Sequence, residues 1–510
     1  MPDSEELKAR VVKKRARKWS NKHENFTVPV AAIYDIWNPS VPDNRMIDGY
    51  RATTRTFQEL AGKAISENLR LRSIGSAWSI SRAPVTHGWL INTKPLNWVF
   101  RISKASVSED YKGQVSDLMF AQCGVSIGEL NRYLGKSEKT LKTSGASNGQ
   151  TIAGALSTGT HGSAMEIGAV QDFVVGLHLI TGPGRHVWLE RSSYPVTTGR
   201  FAERLGAEVI RDDEIFNAAL VSFGSFGIIQ GVMIETEEIF LLEASRFKIP
   251  FDQDLRHVIH TLDFDRVALP EENVKPYHFE VVINPHATDG QAFSTVMYKK
   301  PYQPGYKRRG GSQRRFQAGD DFLSVIGTLL DVVQDGVPVA VNTLLASQYR
   351  SYEGRVGTLG DIFSTTSIRG KSTGAAMGVP LQEAERALQV ILDVHKTSDL
   401  FPGVFALRYV KKSEALLAFT RFDMTCIIDL DAVDNRSAHR FFRRVWEAFD
   451  QEEIPYTVHW GKANELTPEL LEKMYEDDLD RWLSVRKDLL GEKACQAFSS
   501  PFTDQCGLSG

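Results

Sequence analysis

Residues 141–162 read LKTSGASNGQTIAGALSTGTHG, and this stretch decides how the rest of the chain is interpreted. It holds five glycines among a row of Ser and Thr hydroxyls, with one histidine near its end. Glycine permits positive φ, and its missing side chain lets a ligand lie against bare amides. Successive backbone N–H groups and short hydroxyls can then bind a diphosphate or a polar heterocycle. The stretch predicts a ligand-binding turn, with a Gly/Ser-rich surface loop as the alternative.

Small-residue turns also follow other predicted strands. A strand over 69–73 ends in the turn 74–79, and a strand over 140–143 runs directly into the opening stretch. Residues 223–229 add a glycine pair that leads into a further strand. Because these turns lie at strand ends within one α+β unit, we expect a large, elongated ligand rather than a compact one.

Composition and charge describe an ordinary globular protein. The chain has 510 residues, of which 42% are hydrophobic and 24% charged, and its net charge is −3. This charge gives no pull towards nucleic acid, and no apolar run has membrane-spanning length. The four cysteines (Cys123, Cys426, Cys495 and Cys506) form no CxxC pair, and the N-terminus lacks a hydrophobic signal core. We expect a cytoplasmic protein of more than one domain, with no nucleic-acid partner and no integral membrane segment.

Two basic stretches are interpreted without a function. Residues 1–23 are predicted to form an untethered, solvated terminus. Residues 299–315 hold seven Lys/Arg and five Gly/Pro but no acid, which is typical of a loop. An anion-binding lid is the alternative for that loop.

The opening stretch also contains a motif with a different chemistry. Residues 145–149 fit Gly-x-Ser-x-Gly, the turn that presents a nucleophilic serine, so a hydrolase using Ser147 with His459 is an alternative. Against it, the glycines continue to Gly162, and Gly75 is followed by Ser-Ala-Trp rather than by a glycine run. No His-Glu-x-x-His or clustered acid–His set is present in the sequence, so no catalytic metal is predicted.

Five short motifs in order suggest a family. They are RSIGSAWS at 72–79, QTIAGA at 150–155, TGTHG at 158–162, FGSFGII at 223–229 and HWGK at 459–462. With these motifs the chain resembles flavoproteins of the vanillyl-alcohol oxidase/p-cresol methylhydroxylase superfamily, in the branch of aldonolactone oxidases, alditol oxidases and flavin-linked sterol oxidases. The resemblance implies an α+β fold with a two-subdomain FAD-binding domain and a cap domain, whose large antiparallel sheet is flanked by helices.

The resemblance also divides the chain. An N-terminal arm would occupy 1–44, the FAD-binding domain 45–240 and the substrate-binding cap 241–457. The C-terminal segment 458–510 would return to the flavin.

The implied FAD site uses the turn 74–79 and the segment 144–162 for the pyrophosphate and isoalloxazine, and 227–229 for the adenine end. The residues implied to bind FAD are Ile74, Gly75, Ser76, Ala77, Trp78, Ser79, Ser144, Gly145, Ser147, Asn148, Gly149, Ile152, Gly154, Thr158, His161, Gly162, Gly227, Ile228, Ile229 and Lys462.

Trp78 departs from part of the family. Members with covalent flavin carry histidine at this position, and tryptophan cannot form the histidyl–flavin bond. We therefore predict dissociable, non-covalent FAD. His161 remains an alternative attachment point, although its role in the family is non-covalent.

The cap departs as well. Relatives that oxidise alditols carry Glu-x-Arg on a cap strand facing the flavin, whereas the corresponding strand here keeps Arg408 and has Ala406 in place of the carboxylate. Arg408 is a candidate to bind an oxyanion or polarise a hydroxyl, with a structural ion pair as the alternative. Glu280 is the candidate catalytic base, and strand alternation places it either in the cavity or towards solvent.

Lys462 is the third candidate catalytic residue. Hydride transfer to the flavin builds negative charge at its N1–C2=O edge, which a lysine fixed there would stabilise, with His459 nearby. Ordinary strand packing is the alternative for His459, and a solvent-facing position is the alternative for Lys462.

The resemblance implies an FAD-dependent oxidase or dehydrogenase that oxidises the CH–OH group of an alcohol, polyol, sterol or lactone. Hydride would pass to flavin N5, and oxygen or another acceptor would reoxidise the flavin. The missing cap glutamate leaves open a same-fold enzyme acting on a C–N bond or on a natural-product intermediate. The sequence does not identify the substrate or the oligomeric state.

Overall fold

The fold is taken from a computed structural model that describes residues 7–306, 336–364, 371–398 and 400–510. Its strands are β1 (Arg10–Lys14), β2 (Lys18–Ser20), β3 (Thr27–Pro29), β4 (Ala32–Trp37), β5 (Leu71–Ile74), β6 (Trp89–Asn92), β7 (Val99–Arg101), β8 (Leu118–Gln122), β9 (Lys139–Thr140), β10 (Val174–Ile180), β11 (His186–Glu190), β12 (Glu208–Arg211), β13 (Ile228–Glu235), β14 (Glu237–Glu238), β15 (Phe240–Pro250), β16 (His278–Ile283), β17 (Gln291–Pro301), β18 (Tyr352–Thr358), β19 (Ser372–Pro380), β20 (Gly403–Lys411), β21 (Met424–Val433) and β22 (Thr457–Val458). Its α-helices are α1 (Met46–Ser66), α2 (Ile127–Leu134), α3 (Ile152–Ser157), α4 (Gly199–Leu205), α5 (Asp213–Leu220), α6 (Gln253–Thr261), α7 (Val337–Gln348), α8 (Leu359–Ile362), α9 (Ala384–Thr397), α10 (Arg436–Gln451), α11 (Pro468–Tyr475), α12 (Asp477–Leu490), α13 (Glu492–Phe498) and α14 (Pro501–Gln505).

Two sheets organise the first half of the chain. One has the order β1-β4-β6-β5, in which β6 runs parallel to both β4 and β5. The other has the order β12-β11-β10-β13-β8-β7, and its β10–β11 pair is the antiparallel hairpin that the sequence predicts. The turn 74–79 starts where β5 ends, and α3 lies within the opening stretch. This half therefore brings both glycine-rich segments to strand ends.

The N-terminal residues are tethered, so the predicted untethered terminus is wrong over the described part. Strand β1 pairs antiparallel with β4, and β2 pairs with β3. All five residues of β1 are exposed, including Val11 and Val12, so no alternation of buried and exposed positions marks this strand in the sequence. The arm continues the first sheet instead of standing apart from it.

The second half is built on one large antiparallel sheet, as predicted. Its eight strands have the order β18-β15-β17-β16-β20-β21-β19-β22, and every neighbouring pair is antiparallel. Helices α9 and α10 pack on each other and on this sheet. Their apolar faces join the hydrophobic core that extends into the six-stranded sheet of the first half.

The last residues connect the two halves. Strand β22 pairs with β19 at the edge of the cap sheet, and the Ile80 N–H then donates to the Gly461 carbonyl at 2.8 Å. The sequence predicts one helix from 468 to 485, whereas the structure has α11 and α12, separated by Glu476 at φ 49°. Helices α12 and α13 pack against the first half, next to α5 and α1.

Part of the basic loop is described: Lys299 and Lys300 belong to the end of β17, and 307–315 lie outside the described residues. No described helix combines the length and apolar character needed to cross a bilayer.

Candidate active site

One cavity lies between the glycine-rich turns of the first half and the cap sheet. It encloses about 1680 Å³, counting its solvent-open mouth. Its wall includes Gly75 and Trp78 on one side, Arg408 and Asp431 on the other, and Lys462 from the C-terminal segment.

Two missing side chains let the glycine-rich segments pack together. A Cβ on Gly75 would lie 2.1 Å from Thr151 Oγ1, and a Cβ on Gly149 would lie 2.3 Å from the Trp78 ring. Ala77, in the same turn as Gly75 and Trp78, adopts φ 58°. Neither glycine can be replaced without displacing the side chain packed against it, so both are fixed by contact rather than by flexibility.

Several buried polar atoms on the cavity wall lack a partner. Among the described residues, no hydrogen bond reaches the atoms Ser76 Oγ, Trp78 Nε1, Ser147 Oγ and Gln150 Oε1. Buried polar groups in native proteins are nearly always paired, so a cluster of orphans on one wall indicates a polar ligand. Hydroxyl, indole and amide groups fit the diphosphate and heterocycle edges of FAD.

Most of the residues implied to bind FAD line this cavity. They are Ile74, Gly75, Ser76, Ala77, Trp78, Ser79, Gly145, Ser147, Gly154, Thr158, His161, Gly227, Ile229 and Lys462. Wall residues that the sequence interpretation missed include His23 from the arm and Asp431 from β21.

Six of the implied FAD-binding residues lie behind the wall: Ser144, Asn148, Gly149, Ile152, Gly162 and Ile228. The Ser144 hydroxyl donates to Asn148 Oδ1 at 2.6 Å, and the Asn148 amide donates to the Phe363 carbonyl. Ile152 and Ile228 are buried in hydrophobic cores. These residues support the loops from behind the cavity wall, and their assignment as FAD contacts stays a prediction.

The hydrolase alternative fails on geometry. A nucleophilic serine needs a base within hydrogen-bond reach, and Ser147 Oγ has no partner among the described residues. His459 is engaged elsewhere, because its Nδ1 accepts from the Gly461 N–H at 2.9 Å. Its ring packs against Phe419 and His161. Ser147 is part of a binding loop, not a nucleophile.

A network of ion pairs crosses the cap sheet towards the cavity. Arg408 Nε donates to Glu280 Oε1 at 2.9 Å, and Arg408 Nη1 donates to Asp429 Oδ2. Lys462 Nζ donates to Asp429 Oδ1 at 2.6 Å and to Asp431 Oδ1 at 2.9 Å. The strands set this order, since Glu280 pairs directly with Arg408 across β16 and β20. We call Glu280, Arg408, Asp429, Lys462 and Asp431 the ion-pair network.

The charges of the network hold one another ionised. Burial alone would raise the pKa of Glu280, but Arg408 and its neighbours lower it to about 2. Burial likewise opposes ionisation of Asp429, yet Lys462 and Arg408 hold its pKa below the usual range. Burial disfavours the Lys462 ammonium, and the two aspartates overcome this and raise its pKa. Glu280, Asp429 and Lys462 therefore stay charged at neutral pH.

Glu280 does not fit the role of catalytic base. It lies behind Arg408, off the cavity wall, with 3% of its surface exposed. Its other oxygen accepts from the Tyr349 hydroxyl at 2.9 Å. A carboxylate with a pKa of about 2 and both oxygens engaged is a poor proton acceptor. Glu280 instead orients Arg408.

Arg408, Lys462 and His459 do lie on the wall. Burial lowers the pKa of His459 well below its usual value, so this imidazole is neutral at pH 7 and supplies no cationic charge. The positive charge of Lys462 is shared with two aspartates, which the sequence interpretation missed. The available signal was Asp429 and Asp431 two residues apart on an otherwise apolar strand, which places both on one face.

Trp78 is enclosed by the N-terminal arm. Lys22 Nζ lies 4.6 Å from the centre of its ring, and the His23 ring meets it edge-on at 5.9 Å. His23 also contacts Ser372 Oγ through Nδ1 at 2.9 Å, which joins the arm to the cap. His161, the other proposed attachment point, has its Nδ1 at 2.9 Å from the Gly162 carbonyl.

Within the described residues, no group of three or more His, Cys, Asp or Glu side chains could hold a metal ion. Among these residues, the cavity is therefore characterised by its glycine-rich loops and its ion pairs.

Comparisons with known families bear directly on this cavity. A family model described as an FAD binding domain matches residues 52–190, and one described as D-arabinono-1,4-lactone oxidase matches 269–492. The first range contains both glycine-rich segments and the second contains the whole ion-pair network. Both parts of the chain are therefore similar to families of FAD-linked oxidoreductases, as the motifs predict.

Similar sequences make the relationship more specific. L-gulono-1,4-lactone dehydrogenase of Mycobacterium tuberculosis is 24% identical over 84% of this chain and 89% of its own length. D-arabinono-1,4-lactone oxidase of Debaryomyces hansenii is 27% identical over 44% of this chain, and that of Eremothecium gossypii is 31% identical over 35%. The matches span 37% and 29% of the lengths of these two oxidases. The homologues are thus aldonolactone oxidases and dehydrogenases.

Solved structures confirm the α+β fold. Cholesterol oxidase from B. sterolicum superposes with a TM-score of 0.70 at 13% identity, over 98% of this chain and 97% of that one. A VAO-type flavoprotein from Myceliophthora thermophila C1 gives a TM-score of 0.58 at 13% identity, over 91% and 78%. The comparisons give no support to the alternative reaction on a C–N bond.

Proposed function

We propose that this protein oxidises the CH–OH group of a sugar-derived 1,4-lactone. The observation that carries the proposal is a single cavity with orphaned polar atoms on one wall and the ion-pair network on the other. Supporting it, the lactone-oxidase family model covers the wall that holds the network. A polyhydroxylated lactone offers the hydroxyl and carbonyl oxygens that such a wall would bind.

The protein's own groups would bind and orient this substrate. Arg408 and Lys462 present N–H donors at the wall, and each is held in place by buried carboxylates. Donors fixed before binding can stabilise negative charge on a substrate oxygen without reorganisation. His161 and His459 are buried, and their lowered pKa values keep them neutral, so they shape the cavity without adding charge. FAD, when bound, supplies the hydride acceptor.

The cofactor is proposed to be non-covalent. Trp78 occupies the position of the tethering histidine, and its ring is fixed between Gly149 and Lys22. The glycine-rich loops and their orphaned polar atoms would then provide the binding free energy alone. Precipitation with acid should release all the flavin, whereas fluorescence remaining on the denatured protein would contradict this proposal.

The final electron acceptor is oxygen or another oxidant, and a small-molecule substrate is the partner we propose. Reoxidation of the substrate-reduced protein in air, compared with reoxidation by an added dye, separates an oxidase from a dehydrogenase. The predicted cytoplasmic location stays a prediction. The four buried, free cysteines are compatible with a reducing compartment.

The test is anaerobic reduction of the bound flavin. Purified yellow protein should be bleached by L-gulono- or D-arabinono-1,4-lactone, and Lys462→Ala should slow bleaching by about 10²–10³-fold because it removes a donor at the reacting oxygen. Lys473→Ala is the matched control, since Lys473 forms an exposed pair with Asp450. A protein that binds FAD and is not bleached by any lactone would contradict the proposal.

A further inference from the structure

The cap strand that keeps Arg408 lacks the carboxylate expected two residues earlier, where Ala406 stands. Strand pairing shows what lies beside that position. Ala406 is directly opposite Asp429 on β21, and Asp431 follows two residues later on the same face. One carboxylate of the neighbouring strand thus lies directly opposite position 406, where the expected carboxylate is missing. A second lies two residues further along the same face.

Small residues on the other side of β21 make room for these acids. Asp431 pairs with Gly374 on β19, and Asp429 pairs with Ala376. A Cβ on Gly374 would lie 2.8 Å from Asp431 Oδ1 and 3.6 Å from Lys462 Nζ. A residue larger than glycine at position 374 would therefore push against the paired side chains of Asp431 and Lys462.

The two aspartates differ in access. The side chain of Asp429 is 0% exposed, and Lys462 and Arg408 each bind one of its oxygens. Asp431 lies on the cavity wall with 20% of its side chain exposed. Lys462 binds its Oδ1, and among the described residues no donor reaches Oδ2. Of these two aspartates, Asp431 is the one that can offer a carboxylate oxygen to a molecule in the cavity.

We propose that Asp431 is the catalytic carboxylate of this enzyme, in place of the one missing at position 406. This inference rests on the proposed oxidation of a CH–OH group. The substrate O–H bond breaks and its proton passes to Asp431. The C–H bond breaks with its electron pair leaving as hydride to the oxidised flavin, so the carbon is oxidised to C=O and the flavin is reduced.

Asp429 serves as a positioning residue for this step. When Asp431 takes up the proton, its attraction for Lys462 weakens. Asp429 still binds Lys462 Nζ at 2.6 Å, so the ammonium stays in place beside the cavity. Arg408, held between Glu280 and Asp429, is fixed in the same way.

The experiment compares flavin reduction in Asp431→Asn and Asp431→Ala holoenzymes with the wild type under anaerobic conditions. Loss of a general base typically lowers a rate by about 10²–10⁴-fold, and we expect a loss in that range for both variants. Lactone affinity, read from the shift of the flavin spectrum on mixing, should change by less than about tenfold. Added formate should restore the rate in Asp431→Ala and leave Asp431→Asn slow, because only alanine vacates the carboxylate position.

Glu465→Gln is the control, since Glu465 lies close to Lys462 in sequence but pairs with Arg443 on the surface. It should reduce at the wild-type rate. If lactones reduce the wild type and Asp431→Asn within tenfold of each other, Asp431 is not the base, while the proposed function stands. If no lactone reduces the wild type, the proposed function fails, and the role of Asp431 fails with it. Flavin content equal to the wild type excludes misfolding as the cause of a slow rate, and Asp431→Asn keeps the side-chain volume should alanine not fold.

Discussion

The glycine-rich wall and the cap wall of the cavity differ in whether their polar groups have hydrogen-bond partners within the protein. On the glycine-rich wall, Ser76, Ser147 and Gln150 hold buried atoms without partners among the described residues. On the cap wall, the charged groups of the ion-pair network bind one another. The first wall is completed by its ligand, so its contacts contribute binding affinity. The second is organised before anything binds, which is what stabilisation of a charged transition state requires.

The cap wall should lose the most stability when one network member is removed. Arg408→Met leaves the buried Glu280 carboxylate without its ion-pair partner and Asp429 with Lys462 alone, and we expect a loss of about 3–5 kcal/mol in the free energy of unfolding. Chemical denaturation of the apoprotein measures it. Lys396→Met, which removes an exposed pair with Asp393, should cost less than about 1 kcal/mol. Equal effects of the two substitutions would refute the contrast between the walls.

The glycine-rich wall should lose ligand affinity. In Gly75→Ala the new Cβ would meet Thr151, whose hydroxyl caps α3, and the loop must shift away from the position that FAD needs. We expect FAD affinity to fall by at least about 100-fold, or about 3 kcal/mol, when apoprotein is titrated with FAD. Gly135→Ala is the matched control, because nothing lies within 4 Å of the added Cβ. Unchanged affinity in Gly75→Ala would show that the loop does not bind the cofactor.

The free energy of unfolding should depend on pH through His161, which lines the cavity. Burial lowers the pKa of His161 to about 4, below the ordinary value of about 6.5 expected in the unfolded chain. Its contribution to stability is therefore complete above about pH 6.5 and is lost as pH falls towards 4. Between pH 7.5 and pH 5 this amounts to about 2 kcal/mol. Urea unfolding at both pH values should give a smaller pH effect, by about that amount, in His161→Gln than in the wild type. An identical pH effect in both proteins would contradict this assignment.

Much of the fold was predictable because its elements have strong apolar patterns. Apolar patterns in the sequence predict strands over 89–92, 118–122 and 278–283 and a helix over 127–134, and these bounds are those of β6, β8, β16 and α2. Strand β1 could not be found in this way, since none of its side chains is buried. The break between α11 and α12 falls at Glu476, where no Gly or Pro marks it.

The site was predictable on one wall only. Glycine-rich segments keep their chemistry within a few adjacent residues, so the cofactor loops can be read from the sequence. The cap wall depends on pairing between distant strands, and Asp429 lies 21 residues from Arg408 and 33 from Lys462. The role of the Asp429 carboxylate can be recognised only when the register between β20 and β21 is known. His23 reaches the cavity through tertiary structure alone.

The central claim is that both walls serve one oxidation. The most direct measurement mixes the FAD-loaded protein with an aldono-1,4-lactone without oxygen and follows the visible flavin absorbance together with the product. We predict complete bleaching with one lactone oxidised per flavin. A yellow protein whose spectrum shifts on binding the lactone, but which forms no oxidised product, would contradict it.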